Sequence, residues 1–299
     1  MNLFKYEYIM LYYKFTRAVR SHMDIGPVQL RSYLERLSHF TPAPRGVKTS
    51  KETIGEIKCD RITYKGESNE TIILYLHGGA FAFGSSKTHR ALMGHLARLT
   101  KSEILAPNYR LTPEFKYPAG LDDCEKVYTR MLEMYPNKKI IVMGDSAGGN
   151  LSCALTERCI SKNIQLPSKL ALMSPWLDLR INSESAKLNQ AADSVFNQKD
   201  LRSYADLYAD GTEMETPEIS PLQSKNLSSY PPVLLQVATN ELLFPDSEIF
   251  AKKLQEAQVN VRFQASDKLF HSWQVFPDYV SEAMKSLEEI AEFVKQPVQ

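Results

Sequence analysis

The sequence predicts an α/β protein, a mainly parallel sheet with helices on both faces. Two observations carry that prediction. From about residue 54, short β-rich runs alternate with helical stretches, and strands alternating with helices pair in parallel. One of these strands, Lys139 to Met143, runs straight into the glycine-rich turn Gly144-Asp145-Ser146-Ala147-Gly148 and a further helical stretch.

The elements follow in order. Thr71 to Leu76 (TIILYL) is a compact strand ending in His77-Gly78-Gly79, Thr88 to Leu99 reads as a helix, and Glu103 to Ala106 as a strand. Leu121 to Tyr135 is helical, then comes the strand Lys139 to Met143, the helix Ala147 to Ile160 and the strand Leu170 to Met173. Val233 to Val237, a helix over Pro245 to Ala257, a strand over Val259 to Gln264 and a last helix near Tyr279 to Lys295 complete the rhythm. Two segments stand outside it. Residues 1 to about 45 read as helical and end in Thr41-Pro42-Ala43-Pro44, a linker pattern. Residues from about 180 to 226 are polar and helix-like. Together they would form a cap over a site on the sheet.

The 299 residues are enough for a substantial core, and 43% hydrophobic with 24% charged residues is ordinary globular composition. Thirty-six Lys and Arg nearly cancel 35 Asp and Glu. No strong attraction to nucleic acid or anionic lipid follows from that balance. Leu3 to Phe15 is apolar but broken by Lys5, Glu7 and Lys14. It is too short and too interrupted to span a bilayer, and it lacks the order of a signal peptide; an amphipathic helix on the protein's own surface or over its active site is the expectation, with binding at a lipid interface the alternative. Cys59, Cys124, Cys153 and Cys159 form no C-x-x-C pair. Buried reduced thiols in a cytoplasmic protein, with no disulfide framework and no zinc site, are the simplest account.

The chemistry begins at Ser146. A serine on a sharp strand-to-helix turn has its hydroxyl lifted above the sheet, and glycines two residues to either side keep Cβ atoms from colliding with the neighbouring strand and helix. The helix that follows points its positive end at a developing oxyanion. Read alone, the motif is a glycine-rich turn with a serine helix cap. His77-Gly78-Gly79-Ala80 supplies the complement, because glycines let a loop turn its amides inward. The expected oxyanion donors are the amides of Gly78, Gly79 and Ala147. His77 is expected to hold the loop through its side chain, with Asp145 a second supporting residue.

H-G-G-A-F (His77 to Phe81), N-Y-R-L-T-P-E (Asn108 to Glu114) with Tyr117-Pro118-Ala119, G-D-S-A-G-G-N (Gly144 to Asn150) and S-P-W-L-D-L (Ser174 to Leu179) occur in this order. Over about residues 70 to 295 the chain resembles the hormone-sensitive-lipase family of α/β-hydrolase esterases. The resemblance implies an α/β-hydrolase fold with a mostly parallel eight-stranded sheet. It also implies a helical cap from residues 1–45 and an insertion at 181–226, around core segments 46–180 and 227–299. A homodimer is compatible with the family, though the sequence carries no signal for one.

In these hydrolases the chain order is serine, acid, histidine. His271 is the only histidine after Ser146, and as base it needs a pKa near neutrality. The resemblance places the acid at Glu241, with Asp246, five residues on, as the alternative; following Pro245 at the start of a helical run, Asp246 has N-terminal helix capping as its plain reading. A glutamate must fold back its extra methylene to reach Nδ1. Ala80 replaces the commoner third glycine and is expected to narrow the pocket. Phe81, Phe83, Trp176 and Phe196 are candidate pocket aromatics, with core as their plain reading. The expected function is serine esterase action on short-acyl, small-molecule esters through an acyl-enzyme, with no metal or cofactor. An amide, N-formyl or carbohydrate-acetyl hydrolase on the same triad, and a non-catalytic ligand-binding or scaffold protein, are the alternatives.

Overall fold

Strands buried on both faces need partners on both edges, and the central runs have them. The computed structural model describes Ile9, residues 26–66, 68–181, Asn189 and residues 191–297. Eight strands form one sheet: β1 Val47–Ile54, β2 Ile57–Tyr64, β3 Thr71–Leu76, β4 Glu103–Pro107, β5 Lys139–Asp145, β6 Lys169–Met173, β7 Val233–Ala238 and β8 Val261–Ser266. Their spatial order is β1-β2-β4-β3-β5-β6-β7-β8. The β1–β2 and β2–β4 pairs are antiparallel and the rest parallel. β3, β6 and β7 are buried along their whole length, as a parallel strand under helices on both faces must be.

Among the described residues, seven α-helices accompany the sheet: α1 Pro27–Leu37, α2 Arg90–Thr100, α3 Ala119–Met134, α4 Ala147–Ser161, α5 Gln198–Ala209, α6 Phe244–Glu256 and α7 Ser281–Lys295. Two apolar clusters lie on the two sides of the sheet. One gathers Leu74 and Val142 with α3, α4 and α6, and the other gathers Ile73 and Met143 with α2 and α7. The predicted helices and central strands stand where they were expected, to within two residues at most ends. α2 starts at Arg90 rather than Thr88, leaving His89 outside the helix at its N-cap. The hairpin of β1 and β2 has no counterpart among the runs read from periodicity, because β1 is a polar edge strand exposed over most of its length.

The amphipathic helix expected over residues 3–15 lies outside the described residues, except that Ile9 is buried. The four cysteines are buried and unpaired. Among the described residues, no helix is long and apolar enough to cross a membrane.

Candidate active site

A cavity of about 680 Å³ opens over the carboxyl ends of the central strands, where open α/β sheets place their ligands. Ser146 and His271 both line it, with Gly78, Gly79 and Asp145. Its walls are largely apolar: Leu30 and Leu34 come from α1, Val195 and Phe196 from the stretch before α5. The two segments that fell outside the strand–helix rhythm therefore meet on this cavity. Of the four candidate aromatics, Phe83 and Phe196 line it. Phe81 and Trp176 are core, Phe81 stacked on Tyr208 with ring centroids 3.8 Å apart.

Ser146 sits at φ 53°, ψ −120° between β5 and α4, a strained conformation for a residue with a side chain. Backbone bonds on both sides hold it there. Its N–H donates to the Met173 carbonyl at 2.9 Å, and its carbonyl accepts from Trp176 at 3.1 Å. The turn also needs the glycines: a Cβ on Gly148 would stand 1.9 Å from the Leu76 carbonyl oxygen, where no backbone can retreat.

The turn after β3 departs from expectation at one amide. Gly78 N–H donates to Asp145 Oδ1 at 2.9 Å, so it is already engaged and cannot also serve an oxyanion. The reason is that Asp145, next to Ser146, is fully buried and collects donors: Tyr75 hydroxyl gives it a further bond at 2.8 Å. The Gly79, Ala80 and Ala147 amides have no acceptor among the described residues; Ala147 opens α4, where the first N–H groups are left over. Gly79 has φ +125°, open to glycine and strained for other residues. Ala80 takes φ 49° and is buried outside the cavity lining, so it does not narrow the pocket as expected.

His77 braces the turn. Its ring stacks on Tyr109 with centroids 4.3 Å apart, its Nδ1 lies 2.9 Å from the Gly78 carbonyl, and its own carbonyl accepts from the Tyr109 hydroxyl at 2.6 Å. Burial, helped by the neighbouring His89 charge, lowers its pKa to about 4, so the ring is neutral.

On the other side of the cavity, His271 Nδ1 lies 2.6 Å from Glu241 Oε2, with side chains only 5% and 1% exposed. Glu241 follows β7 in a turn closed by its N–H on the Ala238 carbonyl. Its Oε1 returns to accept from Ala238 N–H at 2.8 Å and from Ser174 hydroxyl at 2.7 Å. That folded-back pose absorbs the extra methylene. Ser174 also accepts from Ser272 N–H at 3.2 Å, tying the carboxylate to the residue after the imidazole. Burial pushes the His271 pKa down, but the Glu241 charge and hydrogen bond more than offset it, and the net shift is upward. Among the described residues His271 Nε2 is buried without a hydrogen-bond partner, and no direct bond joins it to the Ser146 hydroxyl; such contacts commonly tighten only when substrate binds.

Asp246 stands apart. It lies in the first turn of α6 rather than at the N-cap expected for it, because that position is taken by Leu243. Burial, with the Asp178 charge added and Arg180 partly relieving it, raises its pKa to about 7. Three residues of the site carried no assigned role in the sequence reading: Ser174, His89 and Asp193. Ser174 opens the S-P-W-L-D-L string, so its presence was noticed but not its contact. Asp193 Oδ1 accepts from Val195 and Phe196 N–H and its Oδ2 from Leu242 N–H, joining the cavity wall to the loop that bears Glu241. Phe196 meets the His271 ring edge-on, with centroids 5.2 Å apart.

The comparisons with known proteins concern the fold and the family. The sequence profile of the α/β-hydrolase fold matches residues 73–275. An esterase of Acinetobacter venetianus is 34% identical over 294 residues, 98% of this chain and 96% of the relative. An acetyl-hydrolase of Streptomyces hygroscopicus is 30% identical, covering 81% of each chain. The crystal structure of an esterase from the bacterial hormone-sensitive lipase family superposes with a TM-score of 0.91 at 28% identity, over 99% of this chain and 98% of that one. With four motif strings in order, a serine on a strained turn and relatives aligned along nearly the whole length, the chain belongs to the hormone-sensitive-lipase family of α/β-hydrolase carboxylic ester hydrolases.

Proposed function

We propose that the protein hydrolyses short-acyl esters of small alcohols through Ser146 as nucleophile, His271 as base and Glu241 as the acid that orients it. The observation that carries this is the His271 imidazole. One nitrogen is fixed on Glu241 at 2.6 Å and the other has no partner among the described residues, in the cavity that Ser146 also lines.

His271 Nε2 takes the Ser146 proton as Oγ attacks the ester carbonyl carbon. The carbonyl electron pair moves onto oxygen, where the Gly79 and Ala147 amides receive it; Ala80, the next unengaged amide of the turn, is the third donor in place of Gly78. The C–O bond to the alcohol then breaks, and His271 returns the proton to the departing alkoxide. Water, deprotonated by the same imidazole, attacks the acyl-enzyme and releases the acid and Ser146. Glu241 keeps the proton on Nδ1 and stabilises the imidazolium. The scheme calls for no metal or cofactor. The segments 1–45 and 181–226 are read as the cap, and of their described residues Leu30, Leu34, Val195 and Phe196 would receive the substrate's hydrocarbon. The acetyl-hydrolase relative supports small acyl groups, and the buried reduced thiols support a cytoplasmic enzyme.

Ser146→Ala should lose nearly all hydrolysis of 4-nitrophenyl acetate and butyrate. Retention of most activity discards the triad. A panel of acyl lengths tests the second half of the reading: turnover should fall steadily from butyrate toward long chains, and an optimum at long chains would overturn the short-acyl assignment.

A further inference from the structure

A second buried imidazole stands beside the nucleophile's own neighbour. His89 lines the same cavity, and its Nε2 lies 3.2 and 3.3 Å from the two oxygens of Asp145. Its Nδ1 lies 3.2 Å from the Ser85 carbonyl oxygen and 2.8 Å from the Thr88 hydroxyl. A carbonyl oxygen and an ionised carboxylate only accept hydrogen bonds, whereas a neutral imidazole donates through one nitrogen. Asp145 calls for a proton on Nε2, and with the Thr88 hydroxyl donating to the Ser85 carbonyl, Nδ1 also faces acceptors and takes the second proton. The Thr88 hydroxyl is free to accept from Nδ1 because its own hydrogen has the Ser85 carbonyl at 2.8 Å.

We propose that His89 is a standing imidazolium and a positioning residue for the oxyanion turn: it holds Asp145 as a carboxylate, and Asp145 holds the Gly78 amide so that Gly79 is presented to Ser146. This rests on the reading of Ser146 as nucleophile. The groups facing His89 are consistent with a charge. β5 contributes Asp145 and β3 the Tyr75 hydroxyl, which is spent on Asp145. The turn after β3 contributes His77, with ring centroids 5.8 Å away and kept neutral. The guanidinium of Arg90 is turned away, onto the Ser38 and Thr41 carbonyls of the N-terminal segment. Burial alone would lower the His89 pKa, but Asp145, by charge and hydrogen bond, and then the Ser85 carbonyl leave it raised. Burial would raise that of Asp145, yet the His89 charge and the bonds from His89, Tyr75 and Gly78 hold it at about 2. The pair is net neutral: it supplies a fixed ion pair that holds the Gly78 turn in place, a preorganised arrangement that needs no reorganisation at the moment of attack.

The test is nitrogen-15 histidine NMR of the whole protein at about pH 7.5, above the ordinary histidine pKa. An imidazolium signal with both ring nitrogens protonated, distinct from that of His271, is expected, and it should vanish in His89→Gln. A spectrum with only neutral tautomers overturns the proposal. His89→Gln should also lower kcat on 4-nitrophenyl butyrate by about tenfold or more, with KM within about threefold, as expected when oxyanion donors are misplaced. A folded variant with wild-type kcat overturns it too. Should His89→Gln fail to fold, Thr88→Val assigns the signal: it removes one Nδ1 partner, so the imidazolium should titrate at lower pH than in the wild type, and an unmoved titration counts against the proposal. Fluorophosphonate labelling of wild-type Ser146 separates the two readings: no labelling removes the nucleophile, whereas labelling with a neutral His89 removes only this inference.

Discussion

The two walls of the cavity are built by different means. On the Ser146 side, shape decides: Ser146 is held by backbone bonds to β6 and the segment after it, and the Leu76 carbonyl leaves no room for a Cβ on Gly148. On the His271 side, hydrogen bonds decide: Glu241 is placed by Ser174 and Ala238, and the Asp193 carboxylate fixes the loop that bears it. Steric placement fails abruptly when one atom is added. Placement by hydrogen bonds fails by degrees, because each bond contributes a net of about 1 kcal/mol and leaves its partner exposed to a similar penalty when lost.

Substitutions on each wall should separate accordingly. Gly148→Ala should be the most damaging, since its methyl would meet the Leu76 carbonyl oxygen at 1.9 Å; we expect little soluble protein, and in what folds a loss of activity of about a hundredfold or more. Near-normal yield and activity would refute the steric account. Glu241→Gln removes the charge that raises the His271 pKa. Because the base must be neutral to act, activity falls as pH drops through that pKa. The variant should therefore lose about a hundredfold or more in kcat while its acidic limb moves to lower pH; a limb that stays in place would show that Glu241 does not face the imidazole in solution.

Ser174→Ala sharpens the contrast. Glu241 Oε1 keeps the Ala238 amide but loses the hydroxyl at 2.7 Å, so kcat should fall about tenfold with KM nearly constant, the equivalent of one buried hydrogen bond. A collapse as deep as that of Glu241→Gln would mean that the wall is as brittle as the other. The smallest catalytic effect is expected at Asp246. Its carboxyl, raised to about 7 in the fold from about 4 in the unfolded chain, is a burden above pH 7 that fades as pH falls toward 4. Asp246→Asn should raise Tm by a few degrees at about pH 8.5 and leave it unchanged near pH 4. Equal Tm at both pH values would contradict that assignment.

The same contrast explains what could be read in the sequence. Steric demands are written in single residues: Gly144 and Gly148 around Ser146 announce a turn that tolerates nothing larger, and apolar runs such as Thr71–Leu76 announce buried strands. Hydrogen-bond partners are written in no local pattern. Ser174 lies 67 residues from Glu241 and Asp193 lies 49 from Leu242, so only the folded chain brings each pair together. Gly78 was misread for the same reason. The motif locates the turn, but which of its amides Asp145 engages depends on a side chain 67 residues away. The β1–β2 hairpin escaped notice because an exposed edge strand needs no apolar face.

The most direct test of the proposed triad is mass spectrometry of the intact protein and its peptides after treatment with a fluorophosphonate. One adduct per chain, on Ser146, is predicted, and His271→Ala should nearly abolish it. An adduct on another residue, or labelling of Ser146 at an undiminished rate without the imidazole at 271, would contradict the account.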